Sequence, residues 1–328
     1  MKPIDEKLKR LVTPVEDGMA RMREILSEQI HDASRAVSDM TDHVGRFRGK
    51  ELRGGLVLLA GEATGNVTDE HPAIAAIVEM IHLATLVHDD VLDGARTRRR
   101  VASVNVRWDN QTAVLLGDFL YARAFALSTD LSSRLASRLL SETTRRICVG
   151  EIEQSTNRYD FELAESAYLE VSGAKTASLY AAACELGARY PGGRGEIGAT
   201  LCSFGWEIGL AFQIVDDCLD VFGREEVVGK PVGNDVEDGK VTLPVLFAFR
   251  NADEPTRRAI RDIYTLPELE GRADKLREAI DLEPGVEYAM TKASELAERA
   301  RTRVSDLPES PAREALVALC EYVLRRRW

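Results

Sequence analysis

The sequence predicts an all-α protein, and three observations predict it. Stretch after stretch carries apolar residues at helical spacing, one face every third or fourth position. Ala, Leu, Glu and Arg dominate those stretches, and all four are strong helix formers. No alternating apolar–polar run long enough for a useful strand appears.

Taken in order, the spacing predicts helices over 8–40, 51–63, 72–93, 111–128, 131–155 and 163–186. It then predicts helices over 198–222, 241–250, 256–263, 270–279, 286–304 and 310–327. Short breaks rich in turn residues divide them: GNVTDEHP at 65–72, RYPGGRGE at 189–196 and SDLPESP at 305–311. One break is long. Residues 223–244, GREEVVGKPVGNDVEDGKVTLP, are rich in glycine, proline and charge, and a long loop in a compact domain is usually functional or disordered. No repeat, low-complexity tract or interdomain linker is evident, so the 328 residues read as one helical domain, 1–328.

Composition narrows the function. A net charge of -11 argues against broad nucleic-acid binding and against docking on anionic lipid. The N-terminal MKPIDEKLKR mixes both signs and does not read as a signal peptide, and no uninterrupted apolar run approaches the ~20 residues that span a bilayer. Five scattered cysteines, none in a CxxC pair, fit free thiols in a reducing, cytoplasmic compartment. Gly193, Gly195 and Gly198 spell GxGxxG, but the segment before them, SLYAAACELGARY, reads as a helix where a dinucleotide site requires a strand. They read as a turn between helices.

Three like charges in an apolar helical stretch demand an explanation. Residues 88–93 read HDDVLD, so Asp89 and Asp93 stack on one stripe with Asp90 about 100° round the helix. Carboxylates this close repel unless a cation joins them, and magnesium suits the task because it keeps positions open for water and phosphate. The spacing returns in FQIVDDCLD at Asp216, Asp217 and Asp220. Two such helices facing each other across a cleft would hold several divalent ions, an arrangement suited to diphosphate chemistry. Cations gather near both motifs: Arg98, Arg99 and Arg100 after the first, Lys50 and Arg53 in GKELRGG, Lys175 opening KTASLY, and Lys230 and Lys240 in the long loop.

From about residue 46 to the C-terminus the chain resembles the trans-isoprenyl diphosphate synthases, or polyprenyl synthetases. GKELR resembles the family's GKxLRP segment, and IHLATLVHDDVLDGARTRRR its first aspartate-rich motif. LLGDFLYARAF, GEIEQ, KTASLY and EYVLRRR follow in the family's order, with the second aspartate-rich motif before the long loop. The resemblance implies a single helical bundle of the isoprenoid synthase type with a central cavity, working as a homodimer. It implies that magnesium, held by Asp89, Asp90 and Asp93 with Asp216, Asp217 and Asp220 opposite, serves an allylic diphosphate that Arg98 contacts. It assigns Lys50, Arg53, His82 and Arg99 to the diphosphate of isopentenyl diphosphate. Lys175, Thr176, Gln213, Lys230 and Lys240 are expected to face diphosphate, and His88 to play a structural or supporting part. Two positions depart from the pattern: Gly54 stands where proline is usual, and Arg100 where glycine is usual.

The implied reaction condenses isopentenyl diphosphate head to tail with an allylic diphosphate through an allylic carbocation. Ala84 and Thr85, one turn before Asp89, are small, and Ile81 on the next turn is aliphatic. Short-chain members tend to place aromatic residues there, so the expected product has at least twenty carbons. The alternatives are a class I terpene cyclase, which usually carries an NSE-type second motif, and the partner subunit of a heteromeric prenyltransferase, which tends to lack the aspartate motifs.

Overall fold

The computed structural model describes residues 10–31, 34–47, 51–98, 101–193, 195–222, 232–266, 269 and 271–325. It is all-α apart from one short hairpin among the described residues. The chain forms two compact units and passes between them several times. The first contains residues 1–144, 179–205 and 301–319, and the second 145–178, 206–300 and 320–328.

In the first unit, α1 (Glu16–Ile30), α2 (Arg35–Gly45), α3 (Leu52–Ala63) and α4 (His71–Leu92) follow in order. The continuous helix expected over 8–40 is thus broken: His31 and Ser34 adopt extended backbone between α1 and α2. Ser34, at the start of α2, is a residue type that favours helix ends over helix interiors. Pro72 opens α4 in its first turn, where a missing N–H costs nothing. His71, at the start of α4, is buried and neutral. Its Nδ1 accepts from Thr68 N at 3.0 Å, its Nε2 donates to the Gly187 carbonyl at 3.0 Å, and burial pushes its pKa down.

A hairpin follows, β1 (Thr97–Arg98) and β2 (Val101–Ala102), then the short α5 (Val104–Arg107) and α6 (Asn110–Thr129). Asp109 caps α6, accepting from Thr112 N at 2.7 Å, and that bond lowers its pKa. Helix α4 is the axis of this unit and packs on α1, α3 and α6. Ile74, Ile77, Val78, Ile81 and Ala84 present no exposed surface. Close approach of α6 is possible because Gly117 faces the His88 ring, into which any Cβ would run. His88 also bonds the Val114 carbonyl through Nε2 at 3.1 Å, consistent with a structural role.

The remaining helices are α7 (Leu135–Thr156), α8 (Glu165–Ser172), α9 (Ser178–Arg189), α10 (Gly195–Phe222), α11 (Asn234–Glu237), α12 (Leu243–Asn251), α13 (Glu254–Thr265), α14 (Arg272–Ala279), α15 (Glu283–Ser305) and α16 (Pro311–Leu324). A π-helical turn, Gly173–Ala177, joins α8 to α9. Of the GxGxxG glycines, Gly193 lies in a turn at φ +109° while Gly195 and Gly198 lie in α10. Among the described residues α10 alone is long and apolar enough to cross a membrane, but 56% of its most apolar window is buried and it carries Glu207 and three aspartates. It is a core helix. All five cysteines are free thiols, with Cys184, Cys218 and Cys320 buried.

Candidate active site

In the first unit the aspartate motif closes α4. Asp89 and Asp93 are half-buried and Asp90 is fully buried. The Asp93 N–H donates to the Asp89 carbonyl at 2.8 Å as the helix ends. Arg98 reaches back from β1 and clasps one oxygen of Asp90, Nη2 at 2.6 Å and Nε at 2.8 Å from Oδ1. Oδ2 of Asp90 is buried with no hydrogen-bond partner. Burial raises the Asp90 pKa, Arg98 pulls it back, and Asp89 and Asp93 raise it further.

Arg53 and His82 also come together. Arg53 Nη1 lies 3.0 Å from His82 Nε2, and its guanidinium sits 4.5 Å above the Tyr180 ring. Arg53 Nε is buried without a hydrogen-bond partner. One residue on, the Gly54 N–H donates at 2.8 Å to the buried Glu79 of α4. Proline has no such donor, so the departure at Gly54 matches the local bonding. Ile81 and Ala84 are wholly buried, whereas Thr85 is half-buried and its hydroxyl donates to the His82 carbonyl at 2.7 Å. Lys50, Arg99, Arg100 and Lys230 lie outside the described residues.

In the second unit the π-helical turn carries Lys175 and Thr176. Such turns insert one residue into the helical ladder and re-aim side chains. Three residues of GEIEQ settle Lys175. Gly150 leaves room for the turn, since a Cβ there would lie 2.9 Å from Lys175 N. Glu151 pairs with Lys175 Nζ at 2.6 Å, and Gln154 Oε1 accepts from it at 3.0 Å. Thr176 Oγ1 donates to Gln213 Oε1 at 2.7 Å, and Gln213 Nε2 donates to Asp217 Oδ1 at 2.7 Å. Tyr168 donates to the other Asp217 oxygen at 2.5 Å. Burial pushes the Asp217 carboxyl up to about 8; Asp235 and Asp216 add to the rise, and Tyr168 and Gln213 oppose it. Asp216 is half-buried.

Asp220 serves the loop that follows. Its carbonyl accepts from Gly233 N at 2.8 Å and its carboxylate from Asp235 N at 2.9 Å. Lys240 Nζ sits 3.0 Å from Asp238 and 3.7 Å from Asp235. Gln154, Tyr168, Lys175, Gln213, Asp217 and Lys240 line one small open cleft. Glu151, Gln154, Tyr168 and Asp235 were absent from the residues expected to form the site. GEIEQ and the long loop held three of them in plain view; Tyr168, in an ordinary helical pattern, left no sequence signal.

Among the described residues no three carboxylate, imidazole or thiol groups converge into a closed ion cage. The donor set nonetheless fits magnesium, which binds through one or two carboxylates plus water and phosphate oxygens. The unpartnered buried oxygen of Asp90 supports that fit.

Comparison with known proteins assigns the family. The family model "Polyprenyl synthetase" matches residues 34–282. The all-trans-nonaprenyl-diphosphate synthase (geranyl-diphosphate specific) of Rhodobacter capsulatus is 37% identical over 96% of this chain and 97% of its own. Component 2 of the heptaprenyl diphosphate synthase of Bacillus subtilis is 33% identical over 99% of this chain and 92% of its own. Among solved structures, the polyprenyl synthase of Caulobacter crescentus, complexed with calcium and isoprenyl diphosphate, superposes with a TM-score of 0.93 at 34% identity, covering 98% of each chain. With the ordered motifs, the all-α fold and matches along its whole length, the chain belongs to the polyprenyl synthetase family and is a transferase of prenyl groups.

Proposed function

We propose that the protein, acting as one domain, extends an allylic diphosphate with isopentenyl diphosphate and releases a product of at least twenty carbons. The observation that carries the reading is the cleft of the second unit, where Lys175, Gln213, Asp217 and Lys240 share one opening. Asp89, Asp90, Asp93, Asp216, Asp217 and Asp220 would hold magnesium, which supplies neutralisation of the charge that grows on the departing diphosphate. Arg98 contacts the allylic diphosphate, and Lys175, Thr176, Gln213, Lys230 and Lys240 face diphosphate. Arg53 and His82, with Lys50 and Arg99, bind the diphosphate of isopentenyl diphosphate. Held head to tail, the isopentenyl double bond attacks the allylic carbon as the carbon–oxygen bond breaks, and the surplus proton passes to the freed diphosphate. Positioned cations and a dry apolar pocket do the rest.

The product length rests on α4. From Ile74 to Asp89 the helix carries no Phe, Tyr or Trp, and each turn spans about 5.4 Å, close to one isoprene unit. The long product named for the Rhodobacter relative is in keeping with this. Incubation with magnesium, isopentenyl diphosphate and allylic primers of increasing length, followed by product sizing, tests the reading. EDTA should abolish turnover and magnesium restore it; activity in EDTA overturns the metal assignment. Ala84→Phe should shorten the product to fifteen or twenty carbons while the melting temperature holds. An unchanged product with a fall of about 1–3 kcal/mol in stability would make Ala84 a packing residue instead.

A homodimer is the proposed assembly. Val114 and Leu115 of α6, 41% and 60% exposed, supply apolar surface for it. A heteromer is the second reading, favoured by the Bacillus relative's description as one component of a synthase. Light scattering of the purified chain, with an activity assay on the same fraction, separates the two. The free thiols support a reducing, cytoplasmic setting.

A further inference from the structure

His43 stands apart from every residue discussed so far. It lies on α2, is 2% exposed, and spends both ring nitrogens on the segment that follows the first aspartate motif. Nε2 lies 2.7 Å from the carbonyl oxygen of Ala102, the last residue of β2. Nδ1 lies 2.7 Å from Nη1 of Arg107 on α5. A carbonyl can only accept and a guanidinium can only donate, so the partners select one form: neutral imidazole with its proton on Nε2. The ring is held edge-on between Phe47 and Trp108, each 5.3 Å away between centroids, and Arg107 lies 4.7 Å above the Trp108 ring.

What this clasp holds is the hairpin that presents Arg98. Val101 and Ala102 pair with Arg98 and Thr97 across the ladder. The hairpin is also tied to its own stretch of chain: Ser103 Oγ donates to the Ala95 carbonyl at 2.5 Å, and Asn105 Nδ2 to the Asp90 carbonyl at 3.1 Å. Those ties are local and fix its root. The His43 bond comes from 59 residues away in sequence and fixes its returning strand to the helical body of the unit. A strand pair two residues long has little stability of its own, so an outside anchor decides where Arg98 sits over Asp90.

We propose that His43 is a positioning residue for the reaction: through the Ala102 carbonyl, with its tautomer set by Arg107, it sets the height of Arg98. The proposal rests on the reading of Arg98 as a ligand of the allylic diphosphate. A displacement of about 1 Å in such a group is enough to cost one to two orders of magnitude.

The experiment is a steady-state comparison of His43→Phe, His43→Gln, Arg107→Leu, Arg98→Ala and the His43→Phe/Arg98→Ala double variant, with both substrates varied. His43→Phe keeps the ring and loses both bonds; roughly a tenfold rise in the allylic KM, with the isopentenyl KM unchanged, is expected. His43→Gln retains a donor for Ala102 and should recover most of that loss. Arg107→Leu should give a smaller rise in the same constant. The double variant should be no worse than Arg98→Ala alone, because the two residues act as one. If Arg98→Ala raises the allylic KM and His43→Phe and His43→Gln do not, the positioning role is overturned and the function reading stands. If Arg98→Ala leaves the allylic KM unchanged, the reading of Arg98 fails and the proposal fails with it. Should His43→Phe not fold, the Gln and Arg107 variants decide the matter on the same constants.

Discussion

Asp90 of the first motif takes two N–H donors from one guanidinium on a single oxygen and leaves its other oxygen without a hydrogen bond. Asp217, at the same place in the second motif, takes one neutral donor on each oxygen, a phenol and an amide. Both are buried, and burial raises both carboxyls. The difference lies in what opposes it. Asp90 carries its own counter-cation, whereas Asp217 has Asp235 and Asp216 as charged neighbours and stands near 8. Identical spacing in sequence therefore yields one carboxyl paired with a cation of the protein and one held by neutral donors, which would ionise at neutral pH only with a cation from outside. A bound divalent ion would be that cation.

The sharpest way to break this comparison is to remove each carboxylate in turn. Asp217→Ala and Asp90→Ala should each lower kcat by about 10²–10³-fold, but only Asp90→Ala should also raise the allylic KM, because it releases Arg98. Equal effects on KM would erase the distinction. A smaller effect is expected one step out. Tyr168→Phe leaves Asp217 with a single donor and should cost about tenfold in rate, with a higher magnesium concentration at half-maximal activity. A magnesium titration of the variant against wild type checks it.

The smallest effect is on stability. Asp217 has a raised folded pKa, so its contribution to folding is fully present below the ordinary carboxylate value of about 4 and is lost as pH rises through about 8. In magnesium-free buffer the wild type should lose melting temperature relative to Asp217→Asn across that window. Saturating magnesium should flatten the difference. Parallel melting profiles from about pH 4 to about pH 9, with and without magnesium, would show that Asp217 is ionised throughout.

Much of the fold was legible because helical periodicity is local. Helix α4 was expected over 72–93 and spans 71–92; α6 was expected over 111–128 and spans 110–129. The stripe reading of the first motif also holds in outline, with Asp89 and Asp93 half-buried and Asp90 buried beside them. What the sequence hid depends on partners distant along the chain. The hairpin at 97–102 is too short to show alternation. The π-helical turn at Gly173–Ala177 keeps an ordinary helical pattern in sequence, and it packs Gly173 on the Trp206 ring, which a Cβ there would strike. The bond between Tyr168 and Asp217 joins residues 49 apart. His43 reads as one polar residue among many until Ala102 and Arg107 are seen around it.

The contact between Gly54 and Glu79 bears on how this protein could be engineered. Replacing an unusual residue by the one its relatives prefer is a common route to a hardier variant, and proline in place of glycine normally helps by stiffening the unfolded chain. Here that substitution would delete the amide that satisfies a buried carboxylate, and its new carbon would fall 2.5 Å from the sulfur of Met22 and 3.1 Å from Glu79 itself. A consensus design that ignores the pairing would weaken the protein at the foot of the segment that carries Arg53, and the remedy would have to change residues 22, 54 and 79 together.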